Sequence, residues 1–160
     1  MNHRHVVNQH VISPPFPAHL ERIIFALGCF WGAERRFWQT EGVLETSVGY
    51  MGGNRKNPSY ELVCTGTTGH AETIKVIFDP NIISYKKLLE LFWTIHDPTQ
   101  GNRQGNDIGS QYRSAIFYED ESQKELNEPI PTFTFHAMDK TLMSNPNLFL
   151  ADTYISITFV

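Results

Sequence analysis

Four short apolar stretches alternate with two amphipathic helical patterns along this chain, and their order restricts the fold more than any other feature. Glu21–Leu27, rich in β-branched and apolar residues, reads as a buried strand that ends at Gly28. Residues 29–39 read as a helix, because Phe30, Ala33 and Phe37 recur at helical spacing beside Glu34, Arg35 and Arg36, and Gly42 is expected to stop it. Val43–Tyr50 is a second strand and Thr73–Phe78 a third, with a short ordered stretch at Tyr60–Val63 and a loop or bulge from Cys64 to His70 between them. Ser84 caps a helix through His96 that gathers Leu88, Leu89, Phe92 and Ile95 on one face. A long Gly/Asn loop spans 97–112, Ser114–Tyr118 is a fourth strand, and Glu119–Asn127 is expected to be helical. The order β-α-β-β-α-β predicts an α+β fold, a two-layer sandwich with a ferredoxin-like core.

The flanks differ from this body. Residues 1–19 form an irregular lead-in, since Pro14, Pro15 and Pro17 forbid a helix, and Phe16 among them is expected to peg onto the domain. The domain itself runs over 20–127. A divergent tail occupies 128–160, and over 129–160 Asp139, Lys140 and Asp152 are the only charges. A chain of 160 residues is one domain's worth. The net charge of −4 argues against a nucleic-acid partner. No apolar run approaches the roughly 20 residues that span a bilayer, and no signal-peptide core follows Met1. Two cysteines do not make a disulfide scaffold. His3, His5 and His10 lack a nearby Cys or carboxylate to complete a metal site, so no metal is expected. The expectation is a cytoplasmic monomer that binds neither nucleic acid nor membrane.

Cys29 is the most informative residue. It follows a strand and a glycine and stands at the expected start of a helix. Helix N-termini present unpaired N–H groups and a partial positive charge, which favour thiolate over thiol. The other reading is a buried Cys acting as a small hydrophobe. Phe30 and Trp31 beside it form either an apolar pocket for a small uncharged group or part of the core; Phe30 fits the core face, and Trp31 fits it less well. Glu72 precedes the third strand and is either a general acid with a raised pKa or a solvated carboxylate. Asp107 lies in a Gly/Asn turn, where Asp is common for turn chemistry alone. Tyr50 and Tyr112 are phenols beside glycine turns, able to donate to an oxygen or simply to pack. Cys64 has no Cys-x-x-Cys partner and reads as a bystander thiol. The Gly101–Gly109 segment lacks the Walker lysine and the dinucleotide spacing, so it is not read as a phosphate loop.

Gly28-Cys29-Phe30-Trp31-Gly32-Ala33-Glu34 resembles the nucleophile motif of the peptide methionine sulfoxide reductase A family. Val48–Gly53, Cys64–Glu72, His96–Gln100 and Gly105–Ser114 resemble further blocks of that family in the family's order, and the likeness runs from about Pro14 to Lys124. The resemblance implies that Cys29 attacks the sulfur of a methionine S-sulfoxide, free or in an oxidised protein, and becomes a sulfenic acid. It implies that Glu72 protonates the sulfoxide oxygen and that Tyr50 and Tyr112 hydrogen-bond it. Phe30 and Trp31 would hold the substrate methyl, and Asp107 would help bind the substrate main chain. No bound cofactor is implied; an external thiol, thioredoxin or a small thiol, would restore Cys29. After about Leu126 the likeness stops, as a divergent or frame-shifted tail would produce, and the C-terminal resolving cysteines of many members are missing. A Cys–His hydrolase or acyltransferase pairing Cys29 with His70 or His96, and a non-catalytic binding domain, are the competing readings.

Overall fold

The computed structural model describes residues 16–118 together with Ser122 and Gln123. Within residues 16–118 six strands and three α-helices follow one another: β1 (Glu21–Leu27), α1 (Phe30–Trp38), β2 (Val43–Met51), α2 (Tyr60–Cys64), β3 (Ala71–Phe78), α3 (Tyr85–Ile95), β4 (Arg103–Gln104), β5 (Asp107–Ile108) and β6 (Ser114–Phe117). The main sheet is antiparallel with the order β2-β3-β1-β6. That order is the one in which the two β-α-β halves interleave, so the split β-α-β-β-α-β core expected from the sequence is present. The strands β4 and β5 form a small hairpin of their own.

Strand parity decides what the two faces do. Ile23, Phe25 and Leu27 of β1 point to the helices and join Phe30, Ala33 and Phe37 of α1 and Leu88, Leu89 and Phe92 of α3 in the main core. Phe25 stacks on Phe37 at 5.2 Å and on Phe92 at 4.9 Å between ring centroids, so one side chain fixes both helices on the same face. Ile24, Ala26, Met51, Ala71, Ala115 and Phe117 form a second apolar cluster on the opposite face. On that face Lys75 pairs with Glu45 at 3.3 Å, and the half-buried Phe16 ring lies 5.8 Å from the Lys75 ammonium. Phe16 thus meets the domain through a cation–π contact, where an apolar peg was expected.

Ser84 caps α3 by accepting from the Lys87 N–H at 3.2 Å, as its position before the apolar stripe suggests. Other boundaries differ from the sequence reading. Helix α1 ends at Trp38 with Gln39 as its C-cap, ahead of Gly42, whose carbonyl instead accepts the Asp79 N–H at 2.9 Å in the turn into β2. The third strand starts at Ala71, two residues before Thr73, because pairing with β2 continues to Met51. Cys64 closes a short helix capped by Ser59 and is not a loop residue. The 97–112 loop contains the β4–β5 hairpin, turned at Gly105-Asn106, and short 3-10 turns at Pro98–Gln100 and Ser110–Tyr112. Of the helix expected at Glu119–Asn127, Ser122 and Gln123 are described and are helical; the rest lies outside the described residues, as do Pro14, Pro15 and the tail from 128 onward.

Candidate active site

Cys29 occupies the N-cap of α1, directly after β1 ends. It is half-buried, is a free thiol, and makes no capping hydrogen bond. Gly28 before it has φ +97°, a conformation that side chains disfavour, and a Cβ there would meet Cβ and Cγ of Gln104 at 2.7 Å. The β4–β5 hairpin therefore lies directly against the chain that presents the sulfur. Gln104 is held in turn by Asp97, donating through Nε2 to its carbonyl at 3.0 Å.

Glu72 stands inside β3, where it was expected ahead of the strand, and it faces Tyr50 of β2 in the register. Both side chains point to the helix side of the sheet, and both residues are almost wholly buried. The N–H of Phe30 donates to Oε2 of Glu72 at 3.0 Å. The carboxyl is thus attached to the first peptide of α1, adjacent to Cys29. Burial pushes the Glu72 pKa upward; the Phe30 N–H opposes this and the negative charge of Asp107 adds to it, with a net rise. A solvated carboxylate is therefore not what the fold builds at this position.

Tyr50 is also raised, first by burial and then by Glu72. Its hydroxyl has no hydrogen-bond partner among the described residues, so a buried donor is left facing the acid. Its ring packs 5.7 Å from that of Phe30. Tyr112, partly buried in the 3-10 turn Ser110–Tyr112, is raised by burial and by the charges of Glu72 and Asp107. The structure therefore brings Cys29, Glu72, Tyr50 and Tyr112 around one place, although they come from four separate elements.

The two aromatics after Cys29 take different positions. Phe30 is 2% exposed and belongs to the main core, whereas Trp31 is 64% exposed. Their rings meet edge to face at 5.7 Å, so Phe30 braces a Trp that stands in solvent. Asp107 is exposed in β5, opposite Gln104, and acts on Glu72 and Tyr112 through its charge. Cys64 is exposed at the end of α2 and interacts electrostatically with Tyr50 and Tyr112.

Neither His70 nor His96 forms a hydrogen bond with Cys29. His96 is half-buried, and desolvation lowers its pKa to about 4. Its Nδ1 lies 2.7 Å from the Phe92 carbonyl and its Nε2 2.8 Å from the Ser114 hydroxyl. A carbonyl only accepts, so the neutral ring carries its proton on Nδ1 and accepts the Ser114 O–H on Nε2. Both nitrogens are occupied, which leaves His96 no free base for the pairing with Cys29 considered above. His70 is buried against Gly53, where a Cβ would overlap its ring, and burial and Arg113 lower its pKa. Among the described residues no group of three or more His, Cys, Asp or Glu is placed to hold a metal ion. No described helix is long and apolar enough to cross a membrane.

Sequence reasoning found the side chains but missed two contacts that organise them. The Phe30 N–H is a backbone donor and leaves no sequence signal. The packing of Gln104 on Gly28 joins residues 76 positions apart, and only the glycine hinted at it.

The profile of the family described as peptide methionine sulfoxide reductase matches residues 21–143. The peptide methionine sulfoxide reductase MsrA of Azotobacter vinelandii is 62% identical over 124 residues, which cover 78% of this chain and 57% of that protein. Methionine sulfoxide reductase A of Corynebacterium diphtheriae superposes with a TM-score of 0.70 at 43% identity, over 77% of this chain and 57% of that one. Mxr1 from Saccharomyces cerevisiae, in its complex with Trx2, superposes with a TM-score of 0.50 at 27% identity, over 72% of this chain and 66% of that one. The chain thus spans little more than half the length of the Azotobacter and Corynebacterium relatives. The matched region contains Cys29, Glu72, Tyr50 and Tyr112 together with the sheet and helices that hold them, and the chain belongs to the peptide methionine sulfoxide reductase family.

Proposed function

We propose that this chain reduces methionine S-sulfoxide, free or in oxidised proteins, with Cys29 as nucleophile and Glu72 as general acid. The observation that carries the reading is the buried carboxyl of Glu72, bonded to the N–H next to Cys29 and facing the unpartnered hydroxyl of Tyr50. A sulfoxide oxygen is a strong acceptor and needs a proton before it leaves sulfur. A neutral carboxyl supplies that proton, and the phenols of Tyr50 and Tyr112 hold the oxygen by hydrogen bonds. The Cys29 thiolate attacks the sulfoxide sulfur. In net terms oxygen passes from the substrate sulfur to Cys29: a thiol and a sulfoxide give a sulfenic acid and a thioether. Cys29 sulfur loses two electrons and the substrate sulfur gains them.

Trp31, braced by Phe30, offers an apolar surface for the substrate methyl, and Asp107 offers a carboxylate to the substrate main chain. An external thiol then condenses with the sulfenic acid, releasing water, and a second thiol frees Cys29 as a disulfide leaves. The complex of the relative Mxr1 with Trx2 supports a thioredoxin-like donor in that step. The chemistry needs no bound cofactor or metal, and a cytoplasmic monomer fits it. The test is consumption of the two epimers of a methyl sulfoxide with dithiothreitol present. Consumption of the S epimer alone, unaffected by a chelator, is the expected result. A cooperatively folded chain that consumes neither epimer contradicts the reading.

A further inference from the structure

Arg113 has no part in the chemistry above, yet its guanidinium reaches all three segments that carry the oxygen-facing groups. Nη1 donates to the carbonyl of Ser110 at 2.8 Å, at the start of the 3-10 turn that ends in Tyr112. Nη2 donates to the carbonyl of Gly69 at 2.9 Å, three residues before Glu72. The same Nη2 lies 3.0 Å from the Cβ position of Gly52, two residues after Tyr50. Gly52 has φ +79°, and a side chain there would also meet the Phe117 ring at 3.3 Å, so only a glycine lets the turn after β2 lie this close to the guanidinium. Three backbone segments far apart in sequence are thus gathered on one planar cation.

We propose that Arg113 is a positioning residue that sets Glu72, Tyr50 and Tyr112 at the spacing needed to meet one sulfoxide oxygen; this rests on the function proposed above. The geometry gives the role to the fork more than to the charge. Two carbonyls from different segments are met by two nitrogens at a fixed separation, which a guanidinium supplies and a flexible ammonium does not. Tyr112 precedes Arg113 directly, and its own N–H bonds only within the turn, to Gly109 at 3.0 Å. Without the guanidinium the turn loses this hydrogen-bonded link to the Gly69 loop.

The test compares Arg113→Lys, which keeps the charge and loses the fork, with Arg113→Ala. At saturating methyl sulfoxide and without reductant, the single-turnover rate of methionine formation should fall about tenfold to a hundredfold in both, the size expected from sub-ångström to ångström misplacement. The sulfoxide concentration giving half the maximal rate should stay nearly unchanged. Methylguanidinium should restore rate to Arg113→Ala, and methylammonium should not. A readout independent of turnover is amide exchange, which should accelerate at Tyr112 in Arg113→Ala while Phe25 in β1 keeps its protection. A parental rate in a folded Arg113→Ala, or in Arg113→Lys, overturns the proposal. Acceleration that extends to Phe25 overturns it also, because Arg113 is then a general structural support. If the parent chain reduces no sulfoxide, the functional reading has failed and exchange alone decides the clamp: acceleration confined to the Tyr112 turn supports it, and unchanged exchange there overturns it.

Discussion

The N–H of Phe30 donates to Oε2 of Glu72 at 3.0 Å, so the acid and the thiol-bearing helix start are joined through one backbone bond. The bond spans 42 residues and links β3 to the N-terminus of α1. A neutral carboxyl can accept this N–H on one oxygen and keep its proton on the other, which reconciles a hydrogen bond from a helix start with a raised pKa.

Glu72→Gln keeps the acceptor for Phe30 and removes the transferable proton. The reduction step should slow by about 10²–10⁴-fold, the usual contribution of a general acid. In the parent, the rate should fall as pH rises through the raised Glu72 pKa, because the protonated form is the active one; that limb should vanish in the variant. A pH scan of single-turnover rates measures both. The same shift acts on stability: a carboxyl raised on folding favours the native state below its unfolded pKa, and this contribution is lost as pH rises through the folded value.

Cys29→Ser should abolish methionine formation, and Cys64→Ser should leave most of it. Cys29 holds the helix start and touches the Glu72 site through Phe30, whereas Cys64 is exposed at the end of α2. Steady-state turnover with dithiothreitol distinguishes the two.

His96 should make the chain acid-sensitive. Its folded pKa is about 4, below the ordinary value of 6.5, so the unfolded chain binds the proton first. The stability that neutral His96 contributes is fully present above pH 6.5 and is lost as pH falls toward 4. His70, also lowered, acts in the same direction. Denaturation midpoints from pH 8 to pH 4 should fall in the parent, and His96→Gln should flatten the curve over that window while lowering stability at neutral pH.

Gly28→Ala should damage both fold and site. The positive φ costs about 1–2 kcal/mol for an L residue, and the new methyl would strike Gln104 at 2.7 Å. Relief requires the β4–β5 hairpin to move, and with it Asp107 opposite Gln104. Chemical denaturation should show the loss of stability, and single-turnover rates a further loss of activity.

Much of this architecture was legible because each core element carries its own pattern. Phe30, Ala33 and Phe37 mark α1, and Ser84 marks the start of α3, without reference to the rest of the chain. The boundaries that shifted are those fixed by partners distant in sequence. β3 begins at Ala71 because Met51 pairs with it, and no local signal at Ala71-Glu72 announces a strand. The β4–β5 hairpin consists of two-residue strands, too short for any alternation to show. For the site, side-chain types and the family likeness pointed to Cys29, Glu72, Tyr50 and Tyr112. The division of labour between Phe30 in the core and Trp31 in solvent came from helix phase, since Phe30 shares a face with Ala33 and Phe37 and Trp31 does not. The Phe30 N–H and the Arg113 fork act through backbone groups, which every residue has, so residue identity could not reveal them.

In the proposed reaction oxygen moves from a methionine sulfoxide to Cys29. Intact-mass and peptide-mass measurement after a single turnover without reductant tests it most directly. The expected result is about one methionine per chain and a gain of one oxygen located on Cys29, trapped by a sulfenic-acid reagent, as for a thiol that stops at the first oxidation product. Methionine formed while Cys29 stays unmodified would contradict it, as would a folded chain that forms none. Loss of two hydrogens with a Cys29–Cys64 cross-link would keep Cys29 as the attacking sulfur and make Cys64 its resolving partner.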